Sequence, residues 1–78
     1  MARARISNAD LTALIAERLQ RFSGCPDGLA VAVIPDDAHA SGWSVVMNAG
    51  MRHRHPSCVR RIERIAKQLR RIYVLAED

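Results

Sequence analysis

The sequence predicts an α+β domain in the order helix–strand–strand–helix, an antiparallel β-hairpin with two helices packed on one face. Three observations predict it. Apolar residues recur at helical spacing towards both ends of the chain. Two short apolar runs rich in valine lie between them. The segment joining those runs is polar and too short for a crossover helix, so the two strands pair antiparallel.

Residues 1–6 carry no pattern and read as a disordered tail, leaving 7–76 as a single domain. Ser7 offers an N-cap with Asp10 three residues on, an approximate capping box. Leu11, Leu14, Ile15, Leu19 and Phe22 follow at helical spacing, and Gly24 supplies a stop, so the first helix spans 8–22. Cys25-Pro26-Asp27-Gly28 reads as a turn. Leu29 to Ile34 is the first strand, ended by Pro35, with Leu29, Val31 and Val33 on one face and Ala30, Ala32 and Ile34 on the other. After a polar loop, Trp43 to Asn48 is the second strand, with Trp43, Val45 and Met47 inward. Gly50 to His55 reads as a connecting loop, and Pro56-Ser57 starts a second helix over 57–75. Val59, Ile62, Ile65, Ala66, Leu69, Ile72 and Tyr73 line its apolar face.

The composition is that of a folded protein, 49% hydrophobic over 78 residues, with Phe22, Trp43 and Tyr73 the three aromatics. Aliphatic side chains must therefore fill a thin core, since a chain of this size buries only roughly 60% of its unfolded surface. The basic start, Met1-Ala2-Arg3-Ala4-Arg5, lacks the apolar run of an export signal, and nothing is long and apolar enough to span a membrane. The expectation is a cytoplasmic protein whose two cysteines, Cys25 and Cys58, are reduced.

Net charge is +4, unevenly spread. Residues 1–49 hold four basic against five acidic residues, whereas residues 50–76 hold eight basic residues and Glu63. At about 100° per residue, Arg60, Arg64, Lys67 and Arg71 fall within one sector of the second helix, opposite the Ile62–Leu69 seam. Such a stripe can follow a phosphate backbone, each cation releasing condensed counterions. A plainly solvated face is the simpler account, because an amphipathic helix must be polar somewhere. Arg52-His53-Arg54-His55 precede the same helix, where cations oppose the helix dipole. An anion held there by Arg52, Arg54, Ser57 and free backbone N–H groups would turn that opposition to advantage.

His53, His55 and Cys58, with His39 further off, do not follow a zinc spacing, so no metal is expected. In a hairpin the start of one strand lies beside the end of the other, which brings Cys25 and Cys58 to the same end of the molecule. Asp36 and Asp37 are adjacent and diverge in an extended loop, and no nucleophile–base set or Gly-rich phosphate loop is present. Neither catalysis nor a cofactor is expected. The apolar second face of the hairpin, Ala30, Ala32, Ile34 and Val46, asks for a cover, and a second copy of the chain is the simplest one.

The segment from Cys58 through Ile72-Tyr73-Val74-Leu75-Ala76, with Gly42-Trp43-Ser44-Val45-Val46 before it, resembles short uncharacterised bacterial proteins. Those proteins also end in a Cys, an Arg-rich helix and a Tyr–x–Leu–Ala tail. The resemblance implies a small family and carries no activity or site residue with it. The leading expectation is a non-enzymatic, self-associating protein-interaction module, a homodimer with a possible further protein partner. The alternatives are nucleic-acid binding along the basic face of the second helix, and a thiol-based redox enzyme or sensor.

Overall fold

Ser7 fixes the start of the first helix. Its backbone is extended (φ −73°, ψ 158°), and its Oγ accepts the Asp10 N–H at 3.1 Å, satisfying one donor that the helix itself cannot. The computed structural model describes residues 3–22, 25 and 31–76, and α1 runs over Asn8–Gln20. Leu11, Ile15 and Leu19 form its buried stripe. The helix ends two residues before the periodicity does. Arg21 and Phe22 donate their N–H groups to Arg18 and Leu19 in a tightened last turn, which leaves Phe22 at the helix exit. Gly24 and the Pro26–Gly28 turn lie outside the described residues.

The strands β2 (Val31–Pro35) and β3 (Trp43–Met47) pair antiparallel, with Val33 opposite Val45 and Pro35 opposite Trp43. Period-two alternation places Val33 and Trp43 in the core and leaves Ala32, Ile34 and Val46 exposed on the other face. Leu29 and Ala30, assigned from sequence to this strand, lie outside the described residues. In the connecting loop the Asp36 carboxylate accepts the Ala38 N–H at 2.9 Å, and Gly42 adopts the positive φ of +81° that a side chain would resist. The Ala38 N–H, then the Ser44 hydroxyl, hold the Asp36 carboxyl below its ordinary range, with His39 and Arg70 adding smaller attractions.

Between Gly50 and His55 the structure differs from the expected loop. Met51–Arg54 form a single helical turn, α2, entered through Gly50 at φ +84°. Met51 is the cause: its side chain is 5% exposed, so burying it pulls the segment onto the core. His55 closes the turn onto the Met51 carbonyl, and Pro56, with φ already helical and no N–H to satisfy, begins α3 (Pro56–Ile72). Cys58, Val59, Ile62, Ile65, Ala66 and Leu69 face inward along α3.

The second helix was expected to continue to residue 75, and it stops at Ile72. Tyr73–Leu75 become a strand, β4, lying parallel to β1 (Ala4–Ile6), so Ala4–Ile6, read as part of a disordered tail, form a strand. Tyr-Val-Leu favours extended backbone, and a waiting partner outweighs one more helical turn. Ile72, placed in the apolar seam by periodicity, is 47% exposed at this junction. The indole N–H of Trp43 donates to the Tyr73 carbonyl at 3.3 Å, and the Leu75 N–H donates to Ser41, so the terminal strand pair is fastened to the hairpin.

Cys25 and Cys58 meet at one end of the molecule, as the hairpin geometry requires, but they are not free thiols. A disulfide joins them across 33 residues, correcting the expectation of reduced cysteines. The physical reason is proximity: α3 begins beside the exit of α1, which leaves the two Cα atoms 5.0 Å apart.

Two predictions follow from this packing. Leu69 is fully buried and Arg64 is exposed, so Leu69→Ala lowers the unfolding free energy by about 2–4 kcal/mol. Arg64→Ala changes it by less than about 0.5 kcal/mol. Urea titration followed by Trp43 fluorescence checks both, and equal losses would mean the helix face is reversed.

For a closed loop of this length, chain entropy assigns the disulfide about 3–4 kcal/mol. A domain of this size holds about 4–12 kcal/mol in total, so reduction by a dithiol shifts the urea midpoint strongly downward. An unchanged midpoint would show that the bond contributes nothing.

Candidate functional site

The eight cations of residues 50–76 do not act as one set. Arg52 Nη1 donates to Glu63 Oε1 at 2.8 Å, with both side chains largely in water (77% and 48% exposed). Such a pair is worth under about 1 kcal/mol, yet it occupies Arg52 and cancels the acid on the polar face of α3. Arg54 Nη2 reaches back to the Ala49 carbonyl at 3.4 Å. The Arg70 guanidinium lies 5.6 Å from the Trp43 ring centroid. Of the six residues assigned from sequence to a phosphate-binding surface, Arg52 and Arg54 are thus engaged elsewhere. Arg60, Arg64, Lys67 and Arg71 remain exposed along α3.

The expected anion seat before the second helix is displaced for the same reason. Arg52 and Arg54 belong to α2, and its last turn donates inward, with the His55 N–H on the Met51 carbonyl. Cys58 is bonded to Cys25, so its sulfur is not a thiolate ligand beside His53 and His55. His39 stands 3.9 Å from Asp36 in the hairpin loop.

What α3 gains instead comes from α1. Between the C-terminal end of α1 and α3 lies a groove of about 240 Å³, lined by Arg18, Arg21, Phe22, Arg61, Ile65 and Gln68. A second depression of about 180 Å³ adjoins it, lined by Phe22, Ser57, Arg60, Arg61 and Arg64. Phe22 and Arg61 belong to both. The Arg61 guanidinium carbon sits 4.6 Å from the Phe22 ring centroid, so this stack is the ridge between the two depressions. Among the described residues neither lining includes a carboxylate. Glu17 stands 3.9 Å from Arg21 with both side chains well exposed, and screening by water keeps that attraction weak.

Five arginines therefore converge from two helices, and the stripe on α3 prolongs them through Lys67 and Arg71. Guanidinium is charged at any ordinary pH and presents planar, forked donors that match phosphate oxygens two at a time. Among the described residues Glu17, weakly paired with Arg21, is the one acid in an ion pair with any of the five, and a bound polyanion would offset the repulsion that remains.

Arg18, Arg21, Phe22, Arg61 and Gln68 were not singled out from the sequence. One signal was present. Arg18 follows Leu11 by seven residues and Leu14 by four, which puts a cation in the apolar stripe of the first helix. A cation at such a position marks the rim of a helix–helix contact. Pairing that rim with Arg61 depends on how α1 crosses α3, which local periodicity does not specify.

The other set assigned from sequence, the self-association face, is partly in place. Ala32, Ile34 and Val46 share the free face of the hairpin, and Ala30 lies outside the described residues. No helix among the described residues is long and apolar enough to cross a membrane. In comparisons with known proteins, no family model, no curated protein and no solved structure matches the chain.

Proposed function

We propose that this chain binds nucleic acid through its phosphate backbone. The observation that carries the reading is the convergence of Arg18 and Arg21 from α1 with Arg60, Arg61 and Arg64 from α3 around depressions whose described lining has no carboxylate. Lys67 and Arg71 extend the same charge along α3, whose seventeen residues run for about 25 Å. Backbone contacts position a strand without reading its sequence, so the binding is sequence-tolerant. The chain acts as a binding protein, not an enzyme.

Each phosphate contact subtracts about 0.7–0.9 from the slope of log affinity against log salt. Four contacts give a slope near about −3 in fluorescence anisotropy with labelled oligonucleotides at three salt concentrations. Arg64→Ala flattens that slope by about one. Arg52→Ala leaves it unchanged, because Arg52 is held by Glu63. Absence of binding near about 50 mM salt removes the reading, since electrostatic binding is strongest there.

A second reading, self-association, is carried by a separate surface. Ile34 and Val46 are 38% and 43% exposed on the free face of the hairpin, and each strand has one paired edge among the described residues. A second copy covering that face removes apolar surface from water on both sides. Sedimentation at tens of micromolar then shows a species heavier than 8.7 kDa, and Ile34→Glu returns it to that mass without unfolding it. A single 8.7 kDa species for the unchanged chain rejects the reading.

A further inference from the structure

We infer, resting on the nucleic-acid reading, that the groove takes a single strand and seats one unstacked base against Phe22 and Ile65, with the flanking phosphates on the arginines to either side. The lining of the larger depression is what distinguishes a strand from a duplex. Three of its six residues are arginines, but Phe22 and Ile65 are apolar and offer nothing to a phosphate. A paired base keeps its faces stacked inside the duplex, whereas an unpaired base presents an apolar face and a hydrogen-bonding edge together. Gln68, at the same depression, carries both a donor and an acceptor for such an edge.

The charges are placed to match. Arg18 and Arg21 line one side of the Phe22–Arg61 ridge, while Arg60 and Arg64 line the other. A strand crossing the ridge finds cations before and after the seated base, and the stacked pair at the crest tolerates any base, because every base has a π face. Entry of α3 into a duplex groove is disfavoured by its neighbours. The end of α1 flanks it on the Arg61 side, and α2 flanks it on the Glu63 side through Arg52. The disulfide from Cys25, just past Phe22, to the first turn of α3 ties the two walls together, so the ligand does not have to order them.

Anisotropy at about 50 mM salt, in the regime where phosphate contacts are strongest, compares four labelled probes: oligothymidylate, oligouridylate, an abasic strand of equal charge, and an oligothymidylate–oligoadenylate duplex. The inference expects a base-bearing single strand to bind about 10-fold or more tighter than the abasic strand, as one stacked base provides. It also expects the single strand to bind tighter than the duplex. Either thymidylate or uridylate behaving this way supports it, and the tighter of the two names the source.

Phe22→Leu, which keeps an apolar residue at the helix exit, narrows the gap between base-bearing and abasic strands to about threefold, most of one base's stacking being lost. Equal binding of base-bearing and abasic strands, or tighter binding of the duplex, overturns the inference while leaving the backbone-binding reading intact. Failure of all four probes overturns both. Polyglutamate competing as well as oligothymidylate also overturns the inference, and points to an acidic protein partner.

Discussion

Trp43 has two requirements that few residues of so small a protein can meet together. Its ring must leave water completely, and its indole N–H must still find an acceptor there. The fold is arranged around satisfying both. The ring is fully buried between the hairpin that carries it and the helices laid over that face, with Arg70 of α3 across it. The N–H reaches the Tyr73 carbonyl, which is available because α3 has stopped and the chain has turned extended. Ending α3 at Ile72 therefore serves the core as well as the terminal strand pair. Trp43 thus joins the hairpin to both α3 and β4.

The arginines show how tertiary structure sorts charges that look equivalent along a chain. Arg52 and Arg60 are both basic residues near the start of α3, yet one is drawn to Glu63 and the other is left to solvent at the groove. The weak energies involved do not stabilise the fold appreciably. Their effect is on the field: pairing Arg52 with Glu63 removes an acid from the polar face of α3, so the exposed charge there keeps one sign. The hairpin loop is the counterpart, where the Asp36 carboxylate accepts the Ala38 N–H.

Much of this architecture was legible in the sequence because it rests on local periodicity. Ser7 as cap, the Leu11–Ile15–Leu19 stripe, the alternation through Val33 and Trp43, and the Ile62–Leu69 seam follow from spacings within one element. The placement of Cys25 near Cys58 was legible too, since hairpin topology fixes which ends meet. What escaped were features decided between elements. Ala4–Ile6 have no pattern by themselves and become a strand because Tyr73–Leu75 lie beside them. Met51 turns a loop into a helical turn only once there is a core to enter. The groove belongs to the same class. Arg18 and Phe22 line the groove with Arg61 because of how α1 and α3 cross, which periodicity along the second helix does not specify.

The parallel pairing of Ala4 with Tyr73 also bears on how the protein is made. During synthesis the first helix and the hairpin leave the ribosome without the carbonyl that Trp43 needs and without the helix that covers it. At about 5–20 residues per second, extending the chain from Met47 to Leu75 takes about 1–6 seconds. For that interval the nascent chain carries an uncovered Trp43 face and an unpaired first strand. The contacts that close the molecule are also the most distant along it, which favours their forming late. Until residue 73 is added, the Trp43 N–H lacks the carbonyl that it pairs with in the folded chain.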